Sequence, residues 1–184
     1  GYYRAVRTEL KDGYDKASEV SKAHIGNYGA KVGIIGVGMI GRTVIELLKP
    51  FKVEVLVFDA FLGDAEANAL GVKKVTLEEL FSECDVVSNH LANVPATVGM
   101  ITGNMFSLMK PNATFINTGR GAQVDEDGML RVLSERKDIS AVLDVTVAEP
   151  PAQDSNFYKL DNVFLTPHIA GSQGAEVSRM AEYM

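Results

Sequence analysis

From residue 31 onward, short apolar runs alternate with amphipathic stretches along the chain. The apolar runs extend over four to six residues and are rich in valine, isoleucine, leucine and phenylalanine. Such runs are typical of strands buried on both faces of a parallel sheet. Strands are predicted at 31–35, 53–58, 85–89, 113–117, 140–145 and 162–165. Helices are predicted at 39–49, 77–81, 104–109 and 125–136.

Local signals support three of these helices. Pro50 ends the first helix, because proline cannot continue the hydrogen-bond ladder. Thr76 and Glu79 have the spacing of a capping box and open the second helix. The helix at 125–136 has acidic residues at its start and basic residues at its end, an arrangement that the helix dipole favours.

Repeated strand–helix units predict an α/β fold. The expected architecture is a doubly wound parallel sheet of the Rossmann type, with helices on both faces in three α/β/α layers. Ligands of such sheets bind beyond the carboxyl ends of the strands, where the strand order reverses. The chemistry is therefore expected in the turns that follow the strands.

The chain divides into three expected segments. Residues 31–171 form the α/β domain, whereas residues 1–30 are charged, lack strand runs and predict a helix and linker. Residues 172–184 predict the start of a further helix that is cut short. Because the chain begins with glycine and stops inside a helix-like stretch, we expect it to be a piece of a longer protein.

Composition narrows the class of protein. The 184 residues are 46% apolar and 23% charged, which is ordinary for a globular protein. A net charge of -6 argues against a nucleic-acid or anionic membrane partner, since both require a basic surface. No apolar run is long enough for a membrane helix, and no Cys/His cluster has metal-ligand spacing. The single cysteine, Cys84, is expected to be a packing residue in a reducing cytoplasm.

A glycine-rich turn follows the first predicted strand and opens the first predicted helix. Gly36, Gly38 and Gly41 have the G-x-G-x-x-G spacing of a dinucleotide site, with Met39 and Ile40 before the last glycine. Gly36 permits the tight turn, Gly38 lets the backbone approach the pyrophosphate, and Gly41 allows close helix–strand packing. The turn therefore predicts that the chain binds a dinucleotide.

The identity of the dinucleotide depends on Asp59, which ends the second strand and is separated from Gly41 by 17 residues. A carboxylate at this position accepts hydrogen bonds from the adenosine ribose and repels a 2′-phosphate. Residues 60–62 contain no arginine or lysine to receive such a phosphate. NAD is therefore favoured over NADP.

Three chemically distinctive residues stand in turns after later strands: Arg120, Glu149 and His168. A guanidinium group holds a carboxylate through two parallel hydrogen bonds. An imidazole carries a proton near neutral pH, and a neighbouring carboxylate fixes its tautomer and favours its protonated form. Taken one at a time, each residue is more simply an exposed charge or a loop histidine.

Together, in this order behind a dinucleotide turn, these residues resemble the D-isomer-specific 2-hydroxyacid dehydrogenases. The resemblance runs from about 31 to 171 and includes segments at 90–97, 108–112, 115–121 and 165–171. It implies hydride transfer between NAD and C2 of a small 2-hydroxy or 2-keto acid. By position, Arg120 binds the substrate carboxylate, His168 exchanges a proton with the C2 oxygen, and Glu149 hydrogen-bonds His168.

The resemblance also implies cofactor contacts outside the glycine turn. By position these residues are Leu91, Ala92, Thr97, Thr118, Gly119 and Asp144. Asp144 matches a contact to the nicotinamide carboxamide, and the loop at 91–97 lies beside the nicotinamide ribose. The family usually has proline where this chain has Ala92, so the loop is expected to be less rigid here.

Two functions stay open at this point. One is an NAD-dependent dehydrogenase, which by resemblance forms a homodimer through its cofactor domain. The other is a non-catalytic NAD(H)-sensing protein, as in the transcriptional corepressors built on the same fold, because these relatives can keep all three catalytic positions. The particular acid is not specified, since selectivity comes largely from a substrate domain of which this chain holds almost nothing.

Overall fold

The computed structural model describes residues 26–171 and 173–180. The strands are β1 (Lys31–Ile35), β2 (Glu54–Phe58), β3 (Lys73–Lys74), β4 (Val86–Asn89), β5 (Thr114–Asn117), β6 (Ser140–Leu143) and β7 (Val163–Leu165). They form one parallel sheet in the order β3-β2-β1-β4-β5-β6-β7. The order reverses between β1 and β4, which places the expected ligand crevice at the carboxyl ends of these two strands.

Helices connect the strands in the described part of the chain. They are α1 (Met39–Leu48), α2 (Asp64–Leu70), α3 (Leu77–Glu83), α4 (Gly103–Leu108), α5 (Glu126–Glu135) and α6 (Glu176–Met180). Short 3-10 turns cover Pro95–Thr97 and Gly121–Gln123. The doubly wound α/β fold predicted from the sequence is confirmed.

The sheet separates two hydrophobic cores, because successive residues of a strand point to opposite faces. Ile34 and Val57 belong to the smaller core, which includes apolar residues of α1 and α2. Ile35 and Leu56 belong to the larger core, which α3, α4 and α5 cover. Helices therefore lie on both faces, as the three-layer prediction required.

The larger core is centred on three phenylalanine rings. Phe81, Phe106 and Phe115 are fully buried, and their ring centroids lie 5.0 to 5.9 Å apart. Cys84 is buried in the same core, and burial raises the pKa of its thiol to about 12. A thiol with such a pKa stays protonated near neutral pH, so the prediction that Cys84 is a packing residue is confirmed.

Some elements differ from the sequence prediction. The edge strand β3 was not predicted, because two exposed lysines carry no apolar pattern. The short helix α2 was also not predicted, although Gly71 ends it with a left-handed backbone at φ +71°. The capping box at Thr76 and Glu79 is confirmed.

The basic end predicted for the helix at 125–136 is wrong. Asp125 caps the helix, whose first turn is acidic, but α5 ends at Glu135 and has no base in its last turn. Arg136 stands one residue beyond, where its guanidinium pairs with Asp138 and donates to the carbonyl oxygens of Ser107 and Met109. One local carboxylate and two distant carbonyl groups therefore hold this arginine.

The predictions for the chain ends fall partly outside the described residues. A helix and linker were expected at 1–30. Residues 1–25 of this segment are outside the described part of the chain, and residues 26–30 form a turn before β1. The helix expected within 172–184 corresponds to α6, although residue 172 and residues 181–184 are not described.

Candidate cofactor and active site

The predicted site residues all lie at or just beyond the carboxyl ends of strands. The glycine turn follows β1, Asp59 follows β2, Leu91 follows β4, Arg120 follows β5, Asp144 and Glu149 follow β6, and His168 follows β7. In a parallel sheet these ends share one edge. The fold therefore gathers residues that are more than 100 positions apart in sequence.

The glycine turn has a separate steric requirement at each glycine. Gly36 has φ +87°, and a Cβ atom there would lie 2.9 Å from the backbone of His90 and Leu91. A Cβ atom at Gly41 would lie 2.1 Å from the carbonyl oxygen of Gly36. A Cβ atom at Gly38 would meet nothing within 4 Å. Two glycines are thus required by the fold, whereas Gly38 leaves open space in front of the turn.

This open space fits a dinucleotide pyrophosphate. Gly38 is the N-cap of α1. Because glycine has no side chain, no N-cap side chain occupies the N–H groups of the first turn. Met39 and Ile40 in that turn are 88% and 64% exposed, although both are large and apolar. The N-terminus of the ten-residue helix α1 therefore presents backbone N–H groups and the positive end of the helix dipole to a phosphate.

A cleft of about 720 Å³ extends from the glycine turn to the loop after β4. Its lining includes Gly36, Gly38, Met39, Ile40, Asp59, Leu91, Ala92 and Thr97. The structure thus brings together the predicted cofactor residues from the turns after β1, β2 and β4. Thr118, Gly119 and Asp144 lie outside this lining, because they follow β5 and β6 farther along the sheet edge.

Asp59 also organises the backbone around the glycine turn. Its Oδ2 accepts a hydrogen bond from the Val37 N–H at 2.7 Å. Its Oδ1 accepts from the N–H groups of Phe61 and Leu62 at 2.8 and 3.1 Å. A carboxylate oxygen has further acceptor capacity, so these bonds fix the group and still allow ribose hydroxyls to donate to it.

Sequence reasoning missed Arg42, which also lines the cleft. This arginine lies on α1, and its Nη1 is 2.7 Å from Oε1 of Glu66 on α2. Residues 60–62, which directly follow Asp59, contain no arginine or lysine, whereas Arg42 lies 17 positions before Asp59 in the chain. Arg42 is a candidate phosphate-binding residue because the packing of α1 against α2 places it at the cleft.

His168 and Glu149 form a hydrogen-bonded pair with 2.8 Å between Nδ1 and Oε2. The hydrogen bond from His168 is the largest cause that lowers the pKa of Glu149, and the Thr146 N–H and the charge of Arg120 add to it. The Thr146 N–H donates to Oε1 of Glu149 at 3.2 Å. The carboxylate is thus held on both oxygens and leaves Nε2 of the imidazole free of the pair.

Asp144 is buried and anchors the segment that carries His168. Its carboxylate accepts hydrogen bonds from the hydroxyl of Thr166 and from the N–H groups of Ile169 and Ala170, the latter two at 2.9 Å. Burial alone would raise the pKa of Asp144, but these hydrogen bonds lower it. Asp144, Glu149 and His168 line a second cavity of about 420 Å³. A cofactor contact by Asp144 stays a prediction.

The lowered pKa values of Asp144 and Glu149 make the stability of the domain depend on pH. In the unfolded chain these groups titrate near pH 4, and the folded state binds their protons less tightly. Their contribution is therefore complete above about pH 5 and is lost as the pH falls through the folded pKa values. We expect Asp144→Asn to lower Tm at pH 7 and to flatten the fall of Tm between pH 5 and 3. Thermal unfolding by circular dichroism measures this, and a fall of Tm between pH 5 and 3 as steep as that of the wild type would contradict it.

Arg120 is exposed at the same edge of the sheet. Its Nη1 donates to the Gly119 carbonyl oxygen at 2.7 Å, and its charge contributes to the lowered pKa of Glu149. The three predicted catalytic side chains are thus electrostatically coupled. Sequence reasoning also missed the buried amides Asn89, Asn117 and Gln123 behind these loops, because polar residues near strand ends are ordinary by themselves.

Thr97 shapes the loop that was predicted to contact the cofactor. Its hydroxyl lies 2.8 Å from the Ala92 carbonyl oxygen, to which it donates, and accepts from the Val94 N–H at 3.3 Å. Leu91 and Ala92 are therefore held from the Thr97 side as well as from the strand.

Among the described residues there is no cluster of three metal-binding side chains and no helix long and apolar enough to cross a membrane.

The reversed strand order, the open glycine turn and the acidic Asp59 define the class of the protein: it contains a dinucleotide-binding domain. The sequence profile named "D-isomer specific 2-hydroxyacid dehydrogenase, NAD binding domain" matches residues 3–170. The chain belongs to this family, and its cofactor is NAD.

Individual relatives agree with this assignment. The chain is 37% identical to a D-3-phosphoglycerate dehydrogenase of Archaeoglobus fulgidus over 78% of this chain and 27% of the relative. It is 38% identical to a glyoxylate reductase of Korarchaeum cryptofilum over 84% of this chain and 47% of the relative. The apo structure of D-mandelate dehydrogenase from Rhodotorula graminis superposes with a TM-score of 0.78 and 27% identity, covering 98% of this chain and 54% of the other. The chain thus spans about a quarter to a half of these relatives.

Proposed function

We propose that the complete protein interconverts a small D-2-hydroxy acid and its 2-keto acid with NAD as the redox partner. The observation that carries this proposal is the 2.8 Å pair between His168 and Glu149 at the edge that also holds the cofactor cleft and Arg120. The pair gives the domain an oriented imidazole that can exchange a proton with a substrate oxygen. The three relatives described above are named for phosphoglycerate, glyoxylate and mandelate, each of which is a 2-hydroxy or 2-keto acid, and this supports the substrate class.

The proposed roles follow from the geometry of each side chain. NAD bound in the cleft supplies the hydride to C2 or accepts it from C2. Because Nδ1 of His168 is bound to Glu149, its Nε2 is the atom that gives a proton to the C2 oxygen in reduction and removes it in oxidation. Glu149 fixes the orientation of the ring by accepting a hydrogen bond from Nδ1. Arg120 binds the substrate carboxylate through its guanidinium group.

We further propose that this chain is the cofactor-binding part of a longer protein. The proposed domain covers 31–171, with residues 1–30 as interdomain helix and linker and residues 172–184 as the start of a returning helix. The short coverage of the relatives supports this division. On the family resemblance alone, the protein is proposed to be a cytoplasmic homodimer joined through this domain, which light scattering after size-exclusion chromatography tests.

A screen of 2-keto acids with NADH tests the proposed reaction. The complete protein is mixed with NADH and, in turn, pyruvate, glyoxylate, hydroxypyruvate or a branched 2-keto acid, and absorbance at the nicotinamide wavelength is followed. Oxidation of NADH with at least one acid supports the proposal. Tight NADH binding without oxidation by any of these acids would contradict it and favour the NAD(H)-sensing function instead.

Asp59 is expected to set the preference for NADH over NADPH. Asp59→Ala removes the acceptors for the ribose hydroxyls together with the charge that repels a 2′-phosphate, so the ratio of the two Kd values should shift towards NADPH by about tenfold or more. The ratio is informative because loss of the three backbone hydrogen bonds to Asp59 weakens both cofactors alike. Fluorescence titration with each cofactor measures it, with Asp64→Ala as the control outside the cleft. An unchanged ratio would show that Asp59 does not face the ribose.

A further inference from the structure

Three buried amide side chains lie between two loops. The cofactor loop (residues 91–97) follows β4, and the Arg120 loop (residues 118–120) follows β5. Asn89 and Gln123 are fully buried, and Asn117 is 1% exposed. Nδ2 of Asn89 donates to Oδ1 of Asn117 at 2.9 Å and to Oε1 of Gln123 at 2.7 Å. The three amides therefore form one connected network inside the domain.

One side of this network holds the cofactor loop. Nε2 of Gln123 donates to the carbonyl oxygens of Leu91 and Ala92, both at 3.0 Å. Oδ1 of Asn89 accepts from the Leu91 N–H at 3.2 Å. Three hydrogen bonds thus fix the backbone where the chain lines the cleft.

The other side holds the Arg120 loop through three further hydrogen bonds. The N–H of Gly119 donates to Oδ1 of Asn117 at 3.0 Å, and the N–H of Arg120 donates to Oε1 of Gln123 at 3.2 Å. Nδ2 of Asn117 donates to the Arg120 carbonyl oxygen at 3.2 Å. A Cβ atom at residue 119 would lie 2.8 Å from Oε1 of Gln123, so a larger residue there would displace this side chain.

All three amides of the network have hydrogen-bond partners on both the oxygen and the nitrogen. Every amide oxygen accepts at least one hydrogen bond, and every amide nitrogen donates at least one. A buried amide that loses a partner carries a desolvation penalty, so fully paired networks make a region rigid. A shift of one loop relative to the other would break bonds on both sides.

We propose that Asn89, Asn117 and Gln123 are positioning residues that fix the cofactor loop and the Arg120 loop at one separation. This inference rests on the proposed function, in which the first loop borders the nicotinamide and the second holds the substrate carboxylate. Hydride transfer requires the two reacting carbons at a defined distance, and a misplacement of about 1 Å costs roughly 100-fold in rate. Gln123 is the central residue because it bonds directly to both loops.

Gln123→Met in the complete protein tests this role, since methionine has nearly the same length but makes none of these hydrogen bonds. We expect kcat/KM for the 2-keto acid to fall about 10- to 100-fold and the Kd for NADH to rise several-fold. Gln123→Glu is the second variant, because it keeps the oxygen that accepts from Asn89 and Arg120. It replaces the Nε2 donor with an oxygen that faces the two loop carbonyl oxygens and repels them. It should show the same rise in Kd even if the methionine variant does not fold.

Asn162→Leu is the matched control. Asn162 is also fully buried, and its Nδ2 donates to three backbone carbonyl oxygens, but these belong to Leu133, Arg136 and Ile139, away from the cleft. The Asn162→Leu variant should have a lower Tm, but its kcat/KM should stay within about twofold of the wild type at a temperature where the protein is folded. If Gln123→Met reduces kcat/KM no more than this control does, the positioning role is overturned.

A rescue variant separates positioning from stability. The N–H of Ala92 donates to no acceptor among the described residues, so proline at this position loses no hydrogen bond and restricts the same loop by fixing φ. Ala92→Pro combined with Gln123→Met should regain about tenfold in kcat/KM, measured beside Tm. A folded double variant without any regain overturns the proposal. A wild-type protein that oxidises no NADH with any 2-keto acid would instead contradict the proposed function, and this inference with it.

Discussion

Replacing His168 with alanine in the complete protein is expected to lower kcat for 2-keto acid reduction by about 100- to 10,000-fold. The reason is that Nε2 of His168 is the proposed proton donor to the C2 oxygen, and water in an open loop replaces it poorly. The Kd for NADH should stay within about twofold, since His168 does not line the cofactor cleft. Steady-state kinetics and NADH fluorescence titration measure the two quantities.

The backbone conformation of His168 calls for a second variant. His168 has φ +55°, a left-handed conformation that alanine adopts at some cost and asparagine adopts more readily. His168→Asn should therefore keep the loop and its Tm but lose turnover to the same degree as His168→Ala. If the asparagine variant retains near-normal kcat, the loss in the alanine variant reflects backbone strain and His168 is not the proton donor.

The second large effect is expected at the glycine turn. Gly41→Ala should lower the free energy of unfolding by about 3 kcal/mol or more, because its Cβ atom would lie 2.1 Å from the backbone oxygen of Gly36. Helix α1 must then move away from β1, which also removes the site for the pyrophosphate. Urea unfolding monitored by circular dichroism, together with NADH titration, should show loss of both stability and binding.

Gly38→Ala is the matched control for this prediction. Its Cβ atom would meet nothing within 4 Å, and the backbone at φ -76° is accessible to alanine. Stability should change by no more than about 1 kcal/mol, while NADH affinity should fall by about tenfold or more because the methyl group occupies the pyrophosphate space. If Gly38→Ala binds NADH as tightly as the wild type, the pyrophosphate does not approach this residue.

The fold was largely predictable from the sequence because a buried parallel strand requires a continuous apolar run. Residues 31–35 and 113–117 illustrate this, since each run corresponds to a strand within one residue. The edge strand at Lys73 and Lys74 was not predictable, because its pairing with Leu56 and Val57 depends on tertiary structure. The basic last turn of α5 was predicted wrongly for a similar reason, since Arg136 stands one residue beyond the helix and bonds to distant carbonyl groups.

The part of the site that was predictable consists of residues that lie in recognisable sequence motifs. The resemblance implied the hydrogen bond between Glu149 and His168, and the structure contains it. The buried amide network was not predictable, because Asn89 is 28 residues from Asn117 and 34 residues from Gln123 in sequence. Arg42 was missed because its place in the cleft depends on how α1 and α2 pack. A role that depends on several weak partners becomes visible only when the chain is folded.

The transfer of deuterium from NADH labelled at C4 to the product tests the central claim most directly. The complete protein is incubated with NADH that carries deuterium at both C4 positions, so that the transferred hydride is labelled on either face. The acid is the best one of the screen other than glyoxylate, whose product has no stereocentre, and the hydroxy acid is analysed by mass spectrometry and chiral chromatography. The proposed function predicts one deuterium at C2 in a product of the D configuration. A product without deuterium at C2, or of the L configuration, would contradict the claim that this domain aligns NAD, Arg120 and His168 for hydride transfer.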